Sequence, residues 1–311
     1  MFMWFPPSGA ATSDNQQSPI LTSWSAPGTC GEFVQGRLDG TDFLINSPID
    51  SFSTAWVRGR AGSGATVLDD YHRSKVARAL AALSERVSLP RGIEVVITSD
   101  LPHGKGMASS TADLVAAIGA ALEQAGVVWS VDDIARFLVE IEPSDCTHVP
   151  GIGHVGHLCG RVFGSFAPPQ TLRVLIVDCG GAVDTITFDR ARAHSVYARN
   201  EDVMRATLSA ALRSLERRCA AGLARAATMS ARLSQQILPK PQLEDLIAIG
   251  REHGALGVNC AHSGSVLGVL YQPAGDRGER IRGAVERTFG ADVTVIGDHR
   301  FISGGVYVRQ H

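Results

Sequence analysis

A short glycine-rich loop joins a predicted strand to a long apolar helix, and this junction constrains the fold more than any other segment. In Gly92–Thr98 β-branched residues alternate with others, which predicts a strand with one buried face. In Ser109–Ala125 apolar residues recur at helical spacing, which predicts a helix with an apolar stripe. The loop between them, Leu101–Met107, holds Gly104 and Gly106, and glycine lets a backbone bend sharply and approach a ligand. The chain therefore combines strand and helix through a sharp connection.

The start of the predicted helix is suited to binding phosphate. The first amides of a helix lack partners within it and lie at the positive end of its dipole, so they attract anions. Ser109 and Ser110 stand at this start, where one hydroxyl can cap the helix and the other can reach a metal ion or a phosphate. Lys105 either balances phosphate charge from within the loop or extends into solvent. The segment matches neither G-x-x-x-x-G-K-[ST] nor G-x-G-x-x-G, so a solvent loop before a capped helix stays open on the residues alone.

The size and charge of the chain limit what it can do. Its 311 residues predict two compact domains or one large fused unit. The formal net charge of -2 shows no basic excess, so we expect no nucleic-acid partner. No apolar run is long enough to span a bilayer and the N-terminus does not resemble a secretory signal, so we expect a cytoplasmic protein without a membrane partner. The lysines are Lys75, Lys105 and Lys240, against 29 basic residues in all, so a lysine in a candidate site is worth noting.

Two adjacent prolines divide the predicted elements into two groups. Strands at Arg161–Phe166 and Arg173–Asp178 flank Pro168 and Pro169, and we place a domain boundary there. The division is a flexible tail at 1–19, an N-terminal domain at 20–169 and a C-terminal domain at 170–311. Further strands are predicted at Ser51–Arg58, Gly257–Asn259, Ser265–Tyr271, Val293–Ile296 and Val306–Val308, and further helices at Arg73–Val87, Val131–Ile141, Ala191–Leu215, Ala220–Leu233 and Gln242–His253.

Three carboxylates stand where the predicted helix at 131–141 ends. Proline disfavours the helical region for the residue before it, so the helix stops at Glu142, which precedes Pro143. This stop can direct Glu142 into a cleft, with Glu140 and Asp145 nearby. Mg²⁺ prefers hard oxygen ligands, commonly one or two carboxylates together with phosphate and water. Glu142 is therefore a candidate metal ligand, with a solvated charge at a helix end as the alternative.

The spacing His154-x-x-His157 suggests a zinc site at first. Cys159 is the one nearby residue that could complete a compact ligand set, and the stretch is rich in glycine and predicted to be a loop. The six cysteines are scattered without a C-x-x-C pair, which indicates reduced thiols. A structural zinc site is therefore disfavoured.

The glycine loop resembles the central motif of the GHMP kinases, the superfamily of galactokinase, homoserine kinase and mevalonate kinase, written P-x-x-x-G-L-G/A-S-S-A. The residues that match in register are Pro102, Gly106, Ala108, Ser109 and Ser110, and Met107 and Thr111 replace the usual leucine and alanine. The segment 26–36 resembles the N-terminal motif of the family, and 259–266 stands where the family has its third motif. Their C-G-E, Q-G and A-H-S-G forms resemble the L-threonine kinase branch, which serves cobalamin side-chain synthesis.

The resemblance implies an α+β fold with two fused lobes. The N-terminal lobe is expected to be like ribosomal protein S5 domain 2 and the C-terminal lobe ferredoxin-like, with ATP bound between them. The resemblance also implies ATP and Mg²⁺ as cofactors, and direct in-line transfer of the γ-phosphoryl group to a hydroxyl of a small molecule. The residues expected around the ATP phosphates are Pro102, Gly104, Lys105, Gly106, Met107, Ala108, Ser109 and Ser110.

The same resemblance implies roles for individual side chains. Ser110 and Glu142 are expected to hold Mg²⁺. Asp145 is expected to accept the proton of the substrate hydroxyl, or only to orient that hydroxyl, because the homoserine kinase branch works without such a base. Lys105 is the second expected catalytic residue.

An amino-acid substrate carries an ammonium and a carboxylate, and burying either of them requires a partner of opposite charge. Glu32 suits the ammonium. The carboxylate suits an arginine, for which Arg37 is the candidate, or backbone N–H groups, and His148 is expected to line the pocket near Asp145. The full set of expected substrate-binding residues is Glu32, Arg37, His148, Asp184, His262 and Ser263.

L-threonine is the acceptor that these features favour. Another small alcohol, such as homoserine, a sugar or an isoprenoid alcohol, remains open. So does a regulator that binds ATP or a metabolite without catalysis. A homodimer is compatible with all of these alternatives.

Overall fold

Strands and helices are interleaved along the chain, which the computed structural model describes over residues 21–59, 64–67, 74–89, 92–180 and 189–308. The strands are β1 Leu21–Leu38, β2 Thr41–Gly59, β3 Gly64–Val67, β4 Gly92–Ser99, β5 Ile152–Gly156, β6 Arg161–Phe166, β7 Arg173–Asp178, β8 Gly257–Cys260, β9 Val266–Tyr271, β10 Thr294–Arg300 and β11 Tyr307–Val308. The helices are α1 Ser74–Ser84, α2 Ser109–Gln124, α3 Val131–Ile141, α4 Arg190–Arg199, α5 Glu201–Glu216, α6 Ala220–Ser234, α7 Leu243–Glu252 and α8 Arg277–Phe289, followed by a 3₁₀ turn at Gly290–Asp292. The predicted α+β class is confirmed.

One continuous sheet runs through both halves of the chain, in the order β10-β7-β9-β8-β1-β2-β4-β3. β11 pairs with β1, and β5 pairs with β2 and carries β6. The halves join where β1 meets β8, through the residue pair Glu32 and Cys260. The prolines Pro168 and Pro169 lie between β6 and β7, so the segments on either side of the predicted boundary share this sheet.

A long antiparallel hairpin of β1 and β2 forms the centre of the sheet. At its tip Leu38 pairs with Thr41, and the two turn residues, Asp39 and Gly40, have φ values of 48° and 78°. Positive φ at both turn positions is the type I′ geometry, whose twist matches that of the strands. The register shifts on both sides of Glu32, and such irregularities bend a strand and redirect its side chains. The hairpin therefore presents Glu32 at a bend beside the junction with β8.

α2 is buried along nearly all of its length between α1, β1 and β2. Close packing requires Gly119, because a Cβ there would lie 1.8 Å from Cε3 of Trp24. Even Asp113 is buried on this helix and accepts a hydrogen bond from Ser53. A helix that is apolar on all sides belongs in a core, so the predicted single stripe understates its burial. This packing fixes the position of the α2 N-terminus.

α3 begins and ends as the sequence predicts. Ser130 and Asp133 form a capping box at its start, in which each side chain bonds the backbone amide of the other. Glu142 follows the last turn with an extended backbone, φ −162° and ψ 160°, as expected for a residue before Pro143. Among the described residues, no helix is both long and apolar enough to cross a membrane.

Several elements differ from the sequence prediction. The single helix predicted over 191–215 is two helices, because Asn200 interrupts it and its side chain donates to the Val196 carbonyl at the end of α4. α8 was not predicted, since nearly half of its residues are charged and its buried side is narrow. The stretch around His154, predicted to be a loop, forms β5.

Candidate active site

Backbone hydrogen bonds hold the glycine loop between the two other segments that the sequence singled out. The amide of Thr29, from the N-terminal segment, donates to the Met107 carbonyl at 3.0 Å. The amide of Ser265, from the C-terminal segment, donates to the Lys105 carbonyl at 3.0 Å. Three segments that are far apart in sequence therefore meet at one place, beside the junction of β1 and β8.

Two of the glycines at this meeting point are required by close contact. Gly106 has φ +83°, and a Cβ there would lie 2.4 Å from the Cβ of Ala261. A Cβ on Gly264 would lie 2.3 Å from the Gly106 amide nitrogen. Side chains at either position would separate the loop from the C-terminal segment, so glycine is needed at both.

The N-terminus of α2 is left open for a ligand. The residue before its first turn, Ala108, has a left-handed backbone with φ 55°, and no side chain caps the helix. The expectation that Ser109 or Ser110 provides the cap is therefore wrong, because both lie within the first turn. Met107 is buried in the core, so it can offer a ligand only its backbone. The uncapped amides are the kind of group that binds phosphate oxygens.

Ser110 and Glu142 come together from the start of α2 and the end of α3. The Ser110 hydroxyl donates to one carboxylate oxygen of Glu142 at 2.5 Å. Nζ of Lys75, at the start of α1, lies 2.5 Å from the other oxygen. The hydroxyl and the carboxylate are hard oxygen donors that suit Mg²⁺. Among the described residues no group of three or more His, Cys, Asp or Glu side chains could hold a metal ion, so nucleotide phosphates and water would have to supply the other ligands.

Lys105 is not extended into solvent. Its Nζ lies 2.7 Å from a carboxylate oxygen of Asp178 at the end of β7, and the other oxygen accepts from Ser265 at 2.5 Å. Burial alone would raise the pKa of Asp178, but the hydrogen bonds from Lys105 and Ser265 outweigh it and hold that pKa below its ordinary value. This pair places a lysine in the loop and an acid opposite it.

Glu32 is a buried carboxylate with an unused oxygen. Its side chain is 5 % exposed, and its Oε2 has no hydrogen-bond partner among the described residues. Burial raises the pKa of Glu32 well above its ordinary value, and the charge of Asp145 and the thiol of Cys260 raise it further, whereas the His262 amide and the charge of Lys240 lower it. An acid in this position is suited to a cationic partner.

Asp145 lies in the turn that follows α3 and is partly exposed. Asn46 of β2 holds this turn by donating to the Asp145 main-chain carbonyl at 3.1 Å. Desolvation raises the pKa of the Asp145 carboxyl to about 7, with a further contribution from the charge of Glu142. A carboxyl that titrates near neutral pH can accept a proton under physiological conditions.

The rings of His157 and His262 pack edge to face, with their centroids 4.9 Å apart. Burial lowers the pKa of His262 to about 4, and the charges of Lys240 and Arg190 lower it further. Burial likewise lowers the pKa of His157 well below its ordinary value, and its Nδ1 has no partner among the described residues. Both rings are therefore neutral at pH 7. His154 instead packs against Phe43 and Phe163, so the two histidines of the suggested zinc spacing lie in different surroundings.

The structure places two of the expected substrate-binding residues elsewhere. Arg37 pairs with Asp42 and contacts His194, and it lies five residues along β1 from Glu32, roughly 16 Å at the usual rise of a strand. The structure therefore does not bring Arg37 together with Glu32.

His148 packs against the start of α3, at the opposite end of the helix from Glu142. Its Nε2 lies 3.0 Å from the carbonyl of Val131, the first residue of the helix, whereas Glu142 follows the last. Ten residues of helix separate the two ends by about 15 Å. Of the remaining expected residues, His262 is in the site, Ser263 has its carbonyl beside Gly106, and Asp184 lies outside the described residues.

The sequence reasoning missed Lys75 and Lys240. Lys75 reaches the proposed metal ligand from a helix that no motif marks. Lys240 is 5 % exposed and contacts Cys260. Cys260 is the last residue of β8, the strand that pairs with β1. The one available signal was the rarity of lysine, because each of the three lysines of the chain is at this site.

Family models and known proteins agree with this geometry. Residues 74–155 match the GHMP kinases N terminal domain, and residues 211–291 match the GHMP kinases C terminal domain. The chain is 33% identical over 249 residues to an L-threonine kinase of Citrobacter freundii, covering 78% of this chain and 84% of that protein. It is 31% identical over 251 residues to an L-threonine kinase of Salmonella typhimurium, covering 78% and 81%.

Solved structures show the same fold at low sequence identity. A homoserine kinase from Cytophaga hutchinsonii superposes with a TM-score of 0.69 at 18% identity, over 96% of this chain and 100% of that one. The protein MDDEF, solved in complex with MVAPP, AMPPCP and magnesium, superposes with a TM-score of 0.68 at 14% identity, over 94% and 100%. With both family models matched in order and two relatives above 30% identity, the chain belongs to the GHMP kinases.

Proposed function

We propose that the protein is an ATP-dependent kinase that phosphorylates the hydroxyl of L-threonine to give O-phospho-L-threonine. The observation that carries the proposal is the buried Glu32 carboxylate, whose Oε2 has no hydrogen-bond partner among the described residues and which lies near Asp145, at the junction where the glycine loop is held. A buried acid that lacks a partner favours a substrate with an ammonium group. The two L-threonine kinases at 31% and 33% identity support the choice of amino acid.

The glycine loop and the start of α2 are suited to hold the triphosphate. Gly104, Gly106 and Ala108 have positive φ values that bend the loop, and the N-cap residue Ala108 makes no side-chain cap hydrogen bond. The Lys105 ammonium can leave Asp178 and follow the phosphates, because an anion with several charges is the stronger partner. Positioning and charge neutralisation supply most of the catalysis in phosphoryl transfer.

Ser110 and Glu142 are the residues that would hold Mg²⁺. The ion, when bound with the nucleotide, neutralises the phosphate oxygens and orients the γ-phosphoryl group. In the structure the Lys75 ammonium forms an ion pair with one carboxylate oxygen of Glu142. Lys75 can turn toward the phosphates once that carboxylate has another cation, so it is a second candidate to bind the triphosphate.

Asp145 is placed to handle the proton of the acceptor. The hydroxyl oxygen of L-threonine attacks the γ-phosphorus, the bond to the β-phosphate oxygen breaks, and the hydroxyl proton passes to the Asp145 carboxylate. Its pKa of about 7 suits this exchange, since the group is ionised in part of the molecules at neutral pH and can release the proton afterwards. A role limited to orienting the hydroxyl is the alternative.

A panel of acceptors tests the proposal. Purified protein with Mg·ATP is incubated with L-threonine, L-serine, L-homoserine and a sugar, and ADP formation and the phosphorus NMR spectrum of the product are followed. We expect O-phospho-L-threonine with the highest kcat/KM of the panel. A higher kcat/KM with any other acceptor would overturn the assignment of L-threonine as the substrate. ATP binding without turnover of any acceptor in the panel would indicate a regulator. Formation of O-phospho-L-threonine would also agree with a place in cobalamin side-chain synthesis.

A further inference from the structure

Lys240 is a buried cation without a carboxylate in contact. Its side chain is 5 % exposed, and its Nζ lies 3.3 Å from Sγ of Cys260 and 3.4 Å from the carbonyl of Ala261. Within the described part of the chain no carboxylate lies within ion-pair distance of it, whereas Lys75 and Lys105 each have one. A thiol and a carbonyl compensate poorly for the lost hydration of an ammonium, so this arrangement is costly unless an anion joins it.

Lys240 and Glu32 both contact one short segment, Cys260–His262. Glu32 is the sheet partner of Cys260 and receives a hydrogen bond from the His262 amide. Lys240 contacts Cys260 and Ala261 of the same segment. The two charges are close enough to influence each other, yet neither is the other's hydrogen-bond partner. A ligand with a positive and a negative group on neighbouring atoms matches this arrangement.

We propose that Lys240 binds the α-carboxylate of the amino-acid acceptor while Glu32 binds its α-ammonium. This inference rests on the proposed function and replaces Arg37, whose guanidinium is paired with Asp42. Lys240 thereby restricts the acceptor to free α-amino acids, because an amino alcohol or an amide lacks the anion that it requires.

Two competing roles for the cations of the site lead to different expected results. In the first, Lys240 serves only as a distant counter-charge that keeps Glu32 ionised, and its loss would weaken every acceptor with an ammonium equally. In the second, Arg190, at the start of α4, is the cation that binds the carboxylate, since it also directs its charge toward His262. Arg190 is more exposed than Lys240, so its charge has less need of an anion.

The experiment compares L-threonine with L-threoninamide, which keeps the ammonium and the hydroxyl but has no negative charge. Both are assayed with the wild type, Lys240→Met and Arg190→Met at saturating Mg·ATP, and thermal unfolding of each variant is recorded. Methionine fills a similar volume and needs no partner, so Lys240→Met is expected to fold and to melt no lower than the wild type. We expect Lys240→Met to raise KM for L-threonine about 30-fold or more, the size of a lost buried charge pair. The same substitution should change KM for L-threoninamide less than about threefold.

The results distinguish a failure of the proposed function from a failure of the proposed role of Lys240. No turnover of L-threonine by the wild type would overturn the proposed function itself. Turnover by the wild type, with Lys240→Met losing both acceptors equally or neither, would overturn the role of Lys240 alone. Loss of the preference for L-threonine in Arg190→Met, with Lys240→Met unaffected, would assign the carboxylate to Arg190 and also overturn it.

Discussion

The proposed site has a phosphate end, at the glycine loop and the start of α2, and an acceptor end, at Glu32 and Lys240. Charged side chains are paired differently at these two ends. At the phosphate end each cation has an acid in contact: Lys75 pairs with Glu142 and Lys105 with Asp178. At the acceptor end Glu32 has an oxygen without a partner, and Lys240 touches a thiol and a carbonyl. The charges at the phosphate end are thus paired within the protein, whereas we expect a ligand to supply the missing charges at the proposed acceptor end.

This difference indicates how each ligand gains its binding energy. A nucleotide and a metal ion have to break internal ion pairs of the protein when they bind. We therefore expect their affinity to be the difference between the contacts that they gain and the similar contacts that the protein loses. The acceptor instead relieves buried charges that are costly in its absence, so small changes in its ionic groups should matter greatly. Specificity is therefore concentrated at the acceptor end, and the substitutions below should separate the two ends.

The largest effect is expected from Glu142→Gln at the phosphate end. The amide keeps a partner for Ser110 but loses the charge that suits Mg²⁺ and leaves Lys75 without its acid. We expect kcat/KM to fall by about 100-fold or more and the Mg²⁺ concentration for half-maximal rate to rise. Thermal unfolding should occur at a lower temperature, because an ion pair has lost one partner.

Glu140→Gln is the matched control. Glu140 stands two residues earlier and pairs with Arg86 at the surface, where such pairs contribute little. It should leave both rate and melting temperature close to those of the wild type. An unchanged Mg²⁺ dependence in Glu142→Gln would remove Glu142 from the proposed metal site.

A smaller effect, with the opposite sign in stability, is expected from Glu32→Gln at the acceptor end. Removing a buried charge that lacks a partner should raise the melting temperature of the ligand-free protein, as is common where function maintains a strained site. KM for L-threonine should rise about 30-fold, with a smaller change in kcat. Calorimetry with Mg·ATP should show unchanged nucleotide affinity.

Glu94→Gln provides the comparison for this change. Glu94 lies on β4, away from the site, and pairs with the exposed Arg58. It should alter neither KM nor nucleotide affinity. If Glu32→Gln lowered the melting temperature as Glu142→Gln is expected to do, the contrast between the two ends would be wrong.

The phosphate end was largely predictable from the sequence, and the acceptor end was not. The loop, the start of α2 and the stop of α3 are encoded in short stretches with glycine, serine and proline at fixed spacing. These local signals carry the resemblance to the GHMP kinases, and that resemblance implied the pairing of Ser110 with Glu142, which the structure brings within hydrogen-bond distance. The α+β fold and its family followed from the same segments, and both are confirmed.

The acceptor end depends on contacts between distant parts of the chain. Arg37 was a candidate because the substrate carboxylate suits an arginine, but the extended strand carries Arg37 roughly 16 Å away from Glu32. Lys240 reaches the site from a turn before α7, more than 200 residues after Glu32, and no motif marks it. Charge partners of this kind are set by tertiary packing, which local patterns do not record.

The smallest expected effect is a pH dependence that belongs to the acceptor end. Burial and neighbouring charge raise the pKa of Asp145 to about 7 and raise that of Glu32 as well, so both carboxyls carry more protons below pH 7 than free acids would. L-threonine needs both groups ionised, one for its ammonium and one for its hydroxyl proton. We therefore expect kcat/KM to increase about tenfold from pH 6 to pH 8 at saturating Mg·ATP. His157 and His262 remain neutral over this range, because their pKa values are lowered, and do not contribute.

The variant Asp145→Asn locates the source of this dependence. Asparagine does not titrate, and removing the Asp145 charge lets Glu32 ionise at lower pH, since the two acids titrate as an interacting pair. The residual activity should therefore lose its increase near pH 7, while Mg·ATP affinity stays that of the wild type. A wild-type profile that is flat between pH 6 and pH 8 would contradict the assignment, as would a step that keeps its position in Asp145→Asn. Either result would show that Asp145 is not the source of the pH dependence.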